Sequence, residues 1–591
     1  MNGLGQDLQT LEDSNLVRLL KPQPELEYVF RHTLMQETAY KSLLRSERAE
    51  LHNLVGEALE RQFPGGRDDM AGLLAHHFEE ADQDEKAIDY YELAGKRARE
   101  HYANQEASEY YGRALALARD IGDVYRQPSL HRARGQMFEI LGDFEKSRSE
   151  HEAALASAIE LGQSAGVWQA NIDLGMLWAS KDYQKTQEYY EEALRVAREM
   201  GDQAILGHTL NRIGNLEVNI SSPLVSEARH QEALKIFQAL GDEKGLAETL
   251  DYLSMTYELA GKSAEQQEYG QRAARLFLKQ GDELHLASSL SGAGLRGANL
   301  VTMQLSNTEE HFDPILRDAI QGCRLADNIG WRSGSAFARI SMAAIYGLAG
   351  EFGEAVSLCH QAIELAEDIG HVQWSLAGRS MLGATLLQML NPEDAIGHLK
   401  SAHEIAKRAN SVHWTDTVAG FLTSAWVDLR EYEEAQMLLE STWPKAERPR
   451  SQSEGSMWLA KAQLKLAQGD YDSSLKLVQE LYDSLVDRRV NRPVPMLGLV
   501  QADCYFAKGM PALAEEILTS SLAVSKTQGA SAVSWQIQGL LAEVQRKLGL
   551  PEASAQSLDS AQRVVDDLAG TIQDPRLEHI FRRRANDRLR S

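Results

Sequence analysis

The chain has little cysteine, little proline and few aromatic residues, and each shortage narrows what it is. Its three cysteines, Cys323, Cys359 and Cys504, are odd in number, far apart and never in a C-x-x-C pair. That argues against a disulfide framework or a zinc ribbon, and a reducing cytoplasm fits best. Prolines number 14 in 591 residues and aromatics make up 7%, while Ala, Leu and Glu are plentiful. Such a mixture favours helix, where Ala and unbranched side chains lose little freedom. No window approaches about eighteen uninterrupted apolar residues, so no membrane span is expected. The opening MNGLGQDLQTLEDSN lacks a basic stretch followed by an apolar core, so no secretory signal is expected. Positive charge is also short: 61 Lys and Arg face 86 Asp and Glu, a net of −25. A surface of that sign repels phosphate backbones, which disfavours nucleic acid as a partner, although one local basic patch remains compatible.

What is present is a repeat. A length of 591 residues exceeds a usual single core, so several domains or one extended solenoid are expected. One phrase recurs: an Ala-Leu-like pair, a short apolar-periodic run, then Gly-Asp. It reads ALALARDIGD at 114–123, ALRVAREMGD at 193–202, ALKIFQALGD at 233–242 and AARLFLKQGD at 273–282. Its closing positions are 122, 162, 201, 241, 281, 330, 370 and 410, in steps of 40, 39, 40, 40, 49, 40 and 40. A second mark lies between them, as in GDFEKS (142–147), GEFGEA (350–355), NPEDA (391–395) and REYEEA (430–435). Gly or Asn ending one helix, then an acidic residue or Pro opening the next, gives two helices per 40-residue unit. In QEYYEEALRVAREM, Tyr190, Ala193, Leu194 and Ala197 form one apolar stripe, which only stacked neighbours can bury. The 49-residue step carries extra residues around 294–314, read as a longer loop between helices, with a projecting contact loop as the sharper alternative.

These units resemble the tetratricopeptide family. The resemblance rests on Leu174-Gly175 with Trp178, Leu253-Ser254 with Tyr257, Arg134-Gly135 with Phe138, and the second-helix alanines Ala193, Ala233 and Ala273. The family repeat is about 34 residues, and the longer period here is similar to the sensor arrays of large bacterial signalling ATPases and transcriptional activators. The fold expected is therefore all-α: a right-handed superhelical solenoid of about twelve tetratricopeptide-like helix pairs. Residues 14–62 do not fit the repeat. LVRLL, a turn with Pro22 and Pro24, and LEYVF read as two extended segments, followed by two helices, the second capped by Arg48 and carrying Leu51, Val55 and Leu59. That order, with FRHTLMQETAYKSLL and then Arg48, Leu51 and His52, resembles the winged-helix junction after the nucleotide-binding module of signal-transduction ATPases, some of which carry a nucleotide-cyclase domain. The organisation expected is 1–62 as a partial winged-helix-like segment, 69–572 as the repeat array and 573–591 as a basic C-terminal capping tail.

No phosphate-binding loop is present: Gly261-Lys262-Ser263 has Thr256 where the earlier Gly belongs. The resemblance implies that His32 senses a nucleotide's phosphates, in trans, on a separate module; otherwise it is a helix-start histidine. His76 and His77 are neighbours on a helix, point about 100° apart and are read as packing, not as a metal pair. The acidic pairs Glu191-Glu192 and Glu433-Glu434 read as solvated helix faces, and Cys359 as an inert core thiol. The arginine-rich tail, with Arg576, Arg582, Arg583, Arg584, Arg588 and Arg590, reads as a capping helix, with docking to an acidic partner or to the chain's own groove as the alternative. No catalytic site, cofactor or metal is expected. The leading functional reading is a non-catalytic regulatory module that binds a protein, peptide or effector on its concave face, with Asn171, Asn211 and Asn215 as groove contacts. The alternatives are the regulatory half of a signalling ATPase or cyclase encoded separately, and a transcriptional activator arm.

Overall fold

The computed structural model describes residues 4–21, 27–62, 69–220, 223–292, 298–299, 304–305, 312–444, 446–487 and 494–590. Within them 29 helices follow one another, and twelve helix pairs run in order from Asp84 to Thr571 before a single last helix, Pro575–Arg590. The fold is an all-α solenoid of repeated helix pairs. Among the described residues no helix is long and apolar enough to cross a membrane. The phase break at 294–314 lies for the most part outside the described residues.

The punctuation works as local chemistry requires. Every closing position takes the left-handed conformation, from Gly122 at φ 73° to Asn410 at φ 56°. The Asp that follows is an N-cap: Asp242 Oδ1 accepts from the amides of Lys244 and Gly245, both at 3.0 Å. One boundary differs from the sequence reading. In LNPEDA the left-handed residue is Leu390 (φ 56°), and Asn391 opens the next helix by accepting from the Asp394 amide. Asn391 therefore starts a helix instead of ending one.

The chain forms two compact units, Met1–Met137 and Phe138–Ser591. In the first, Val17–Lys21 and Glu27–Phe30 pair as an antiparallel hairpin, with Val17 opposite Phe30. Helices Thr33–Ser42 and Arg45–Gln62 follow, so the second begins three residues before Arg48. Its amide-side partner is Glu47, whose carboxylate accepts from the Leu44 N–H. The core beneath is Leu74, Phe78 and Ala87.

In the second unit the solenoid winds back on itself. The Gln373 amide donates to the Ser180 carbonyl at 3.2 Å, and the Gln452 side chain donates to the Glu258 carbonyl, 194 residues away, at 2.7 Å. One winding on, the Thr571 hydroxyl bonds the Gly350 carbonyl, 221 residues away, at 2.9 Å. Two turn glycines sit at these crossings. A Cβ on Gly142 would meet Ile369 Cγ2 at 2.5 Å, and one on Gly350 would meet Leu568 Cδ2 at 2.2 Å. Both also have positive φ, so conformation and space alike require glycine there. The largest core cluster spans the crossing, joining Ile340, Phe352 and Leu382 to Trp535, Leu568 and Phe581.

Candidate functional site

The winding encloses a cavity of about 320 Å³ inside the second unit. Its walls come mainly from the first helices of eight consecutive repeats, beginning with Ala179 at the end of Ser164–Ala179 and ending with Gln452–Ala467. Two of them present a helical stripe. Glu248, Asp251, Tyr252 and Met255 recur at three- and four-residue spacing on Glu243–Leu259, and His413, Thr417 and Phe421 do so on Val412–Asp428. Second helices add only Tyr183, Thr186, Tyr190 and Phe277.

Aromatic faces dominate the opposite wall. Trp374 stacks between Phe337 (ring centroids 4.7 Å apart) and His371 (5.2 Å), and Trp331 and Trp414 complete the tryptophan set. Such stacking fixes ring orientation without a polar partner. The electrostatics are set by one half-buried guanidinium. Arg212 donates to the Tyr252 hydroxyl and lies in the field of Tyr252, Tyr190, Glu248 and Asp173. Burial works to raise the Glu248 carboxyl, but His208, with its Nδ1 at 3.4 Å, and Arg212 hold it down to about 2. Burial holds the His413 imidazole down to about 4, so it is neutral at pH 7. His285 Nδ1 lies 2.8 Å from Asp282 Oδ2. The cavity thus offers π faces, carboxylates and neutral amides and hydroxyls, with no lysine or arginine among its described lining residues.

The residues singled out from sequence are dispersed. Asn215 lines the cavity, with Asn219 one turn further along. Asn171 is buried and donates to the Val167 carbonyl of its own helix at 2.8 Å. Asn211 is buried between helices, donating to the Thr249 hydroxyl at 2.7 Å and accepting from His230 Nδ1 at 3.1 Å. The structure brings neither of these two to the cavity. His32 is exposed, at the N-cap of Thr33–Ser42, and its carbonyl accepts from the Met35 amide at 3.0 Å. His77 pairs with His52 of the neighbouring helix (Nδ1 to Nδ1, 2.8 Å), while the rings of His76 and His77 stand 5.8 Å apart. Among the described residues no group of three or more metal-ligating side chains forms a site.

Glu191, Glu433 and Glu434 are exposed, Glu192 is half-buried and paired with Arg195, and Cys359 is fully buried. The arginine tail is a helix docked on the chain's own repeats: Arg584 bridges Glu393 and the Leu390 carbonyl, and Arg576 meets Asp394 at 2.6 Å. The cavity tryptophans went unrecognised in the sequence, yet a signal was there. Trp374 and Trp414 stand one 40-residue repeat apart, each four places after a closing residue, Gly370 or Asn410.

No family model matches the chain. Over 122 residues, 21% of its length, it is 30% identical to an uncharacterized protein of Rhizobium meliloti (strain 1021), of which it spans 12%. Among solved structures it is similar to the APC/C hetero-tetramer Cut9-Hcn1 (13% identity, TM-score 0.47, covering 94% of this chain and 95% of that one). It is also similar to yeast Tom70 (16%, TM-score 0.32, covering 86% and 97%). A third is the Rap protein complexed with Competence and Sporulation Factor (11%, TM-score 0.41, covering 70% and 99%).

Proposed function

We propose that this chain is a non-catalytic, regulatory interaction module that receives a protein or peptide segment on the concave side of its repeats, anchored in the cavity. The observation that carries the proposal is the convergence of first helices from eight consecutive repeats on one aromatic-walled chamber. A small apolar volume with a few placed polar groups is the ordinary form of a recognition site. Asn215, Asn219, Gln373 and Thr417 offer amide and hydroxyl groups to a bound backbone. The three thiols are buried and unpaired, which suits a reducing, cytoplasmic setting.

The test is selection from a displayed peptide library on the full chain, repeated with Asn219→Trp, which fills the cavity. Among the described residues the side chain of Asn219 bonds the Asn215 carbonyl of its own helix and no other group, so the replacement is expected to leave the stack intact, which circular dichroism checks. Peptides that bind wild type and are lost from the variant support the proposal. Equal recovery on both proteins removes it.

A second reading, that the chain is the regulatory half of a signalling ATPase or cyclase, is favoured by one observation. The segment whose sequence resembles the ATPase junction exposes an apolar surface, with Leu34 at 75% and Leu44 at 67% exposure beside Leu51, Leu54 and Val55. A nucleotide-binding module packed there would place His32 at its edge, in trans. An ATPase reading frame adjacent to the coding sequence supports this reading, and unrelated flanking genes count against it.

A further inference from the structure

The apolar surface that the fold leaves uncovered gathers in one region. Of the 25 large hydrophobic residues exposed among those described, 11 lie between Leu11 and Val55, a small part of the chain. A solenoid stays soluble by turning a polar face outward at its ends. The last helix does so, with Arg576, His579, Arg583 and Asp587 exposed at helical spacing. Arg45–Gln62 does not. Its inner side packs on Ala71–Glu80, where a Cβ on Gly56 would meet the Phe78 ring at 3.0 Å and Leu59 joins the core of Leu74 and Phe78. Its outer side carries Glu47, Leu51, Leu54, Ala58 and Arg61, with Leu44 just ahead, all exposed. Steps of three and four residues alternate along that stripe, the spacing of a coiled-coil seam.

The stripe is complementary to itself. Its apolar centre, Leu51 and Leu54 at 49% and 51% exposure, has an acid at one end and a base at the other. Glu47 uses one oxygen on the Leu44 amide (2.8 Å), and Arg61 uses Nε on the Glu57 carbonyl (3.2 Å), which leaves charge on both to meet a partner. Two such helices laid antiparallel across a two-fold between Leu51 and Leu54 bury leucine on leucine and bring Glu47 of each copy to Arg61 of the other. A parallel pair would stack Glu47 on Glu47 and Arg61 on Arg61 inside the seam, and like charges there oppose association. Head-to-tail growth finds no match, because the last helix presents a polar stripe. An isologous contact closes at two copies.

We infer that the chain pairs with a second copy of itself through the outer faces of Arg45–Gln62, antiparallel about a two-fold axis. The inference is independent of the cavity, which lies in the second unit. It places on this face an occupant other than the ATPase module of the second reading.

Sedimentation equilibrium of the full chain tests it, at about 0.15 M salt, which screens the net charge of −25 on each copy and Glu50 against Glu57 at the seam's edge. The expected result is a reversible monomer–dimer equilibrium, half-associated between about 1 and about 50 µM, as befits a small interface. Leu54→Glu, at an exposed position and checked by circular dichroism, should weaken it at least about ten-fold. Orientation is read by disulfide trapping, since the three native thiols are buried. Glu47→Cys chains mixed with Arg61→Cys chains should form the mixed disulfide faster than either variant links to itself. A chain that stays monomeric to about 100 µM, or a dimer indifferent to Leu54→Glu, overturns the inference. Glu47→Cys linking to itself faster than to Arg61→Cys overturns it as well. Where Leu54→Glu folds poorly, the wild-type mass and the mixed disulfide decide. A chain that stays monomeric and takes up a separate ATPase module on this face sinks the inference and leaves the second reading standing.

Discussion

Replacing Phe581 by alanine should release the last helix, Pro575–Arg590, from the repeats it covers, whereas replacing its arginines should not. Two kinds of contact hold this helix. Arg582, Arg584 and Arg588 pair with Asp566, Glu393 and Asp428 at 2.6, 2.5 and 3.0 Å, all with substantial solvent exposure. Pairs of that kind contribute about 0.2–1 kcal/mol each and weaken in salt. Against them stands Phe581, fully buried, with its ring 5.8 Å from Phe352 and 6.3 Å from Trp535, flanked by Leu577 and Ala585. Removing a buried phenylalanine costs about 3–5 kcal/mol through lost transfer energy and the cavity left behind. Since about 1.4 kcal/mol is a factor of ten, the open population of this helix should rise about a hundred-fold or more. Hydrogen exchange of residues 575–590, read by mass spectrometry, measures that population. Phe581→Ala should accelerate exchange by at least a hundred-fold, while Arg584→Gln, or 0.5 M salt on wild type, should change it less than about ten-fold. Release by salt as complete as release by Phe581→Ala would refute the reasoning and make the tail an electrostatic clasp.

Asp416 is 8% exposed, and burial together with Glu454 lifts its carboxyl to about 7. Keeping it charged costs stability once pH exceeds the unfolded value, so Asp416→Asn should gain nothing below about pH 3.8 and about 2–4 kcal/mol above pH 7. Urea melts at pH 5 and pH 8.5 should show the larger gain at the higher pH; an equal or larger gain at pH 5 contradicts the assignment. His230 and His371 act in the opposite sense, because burial holds each imidazole down to about 3. Their stabilising share is whole above the unfolded value near 6.5 and falls as pH drops below it. The two together should remove about 4 kcal/mol between pH 7 and pH 5, and a His230→Leu variant whose acid slope matches wild type would count against this. Arg430 is exposed and left-handed at φ 63°. Arg430→Gly should therefore stabilise by about 1 kcal/mol, and a lower melting temperature would show that the arginine side chain contributes more than its backbone strain.

The repeat was legible because its signals are local. Gly201 and Asp242 do their work within a turn of their own position, as a left-handed stop and an N-cap, so spacing alone revealed the helix pairs. The misplaced boundary at residues 390–391 arose because Leu390 takes the left-handed residue's place, and no side-chain preference announces a leucine there. The site was legible only in part. Asn215 reaches the cavity, while Asn211 is occupied by His230 and Thr249, a choice set by which helix packs opposite. The meeting of Tyr252 with Trp374 and Trp414 around one chamber depends on the solenoid's winding, fixed by contacts such as Gly142 against Ile369. Those partners lie more than a hundred residues apart, and periodicity carries no information about them. The tail shows the same limit: its arginines were plain in sequence, but the acidic residues that receive them, Glu393 and Asp394, belong to a helix nearly two hundred residues earlier.

The central claim is that partners enter the concave chamber, and photo-cross-linking in the native cell tests it most directly. Benzoylphenylalanine would replace Asn219, inside the chamber, in one strain and the exposed Ile159, on the second helix of its pair, in another. The account predicts a discrete adduct from position 219 that is absent from position 159. An adduct from position 159 with none from position 219 would contradict it.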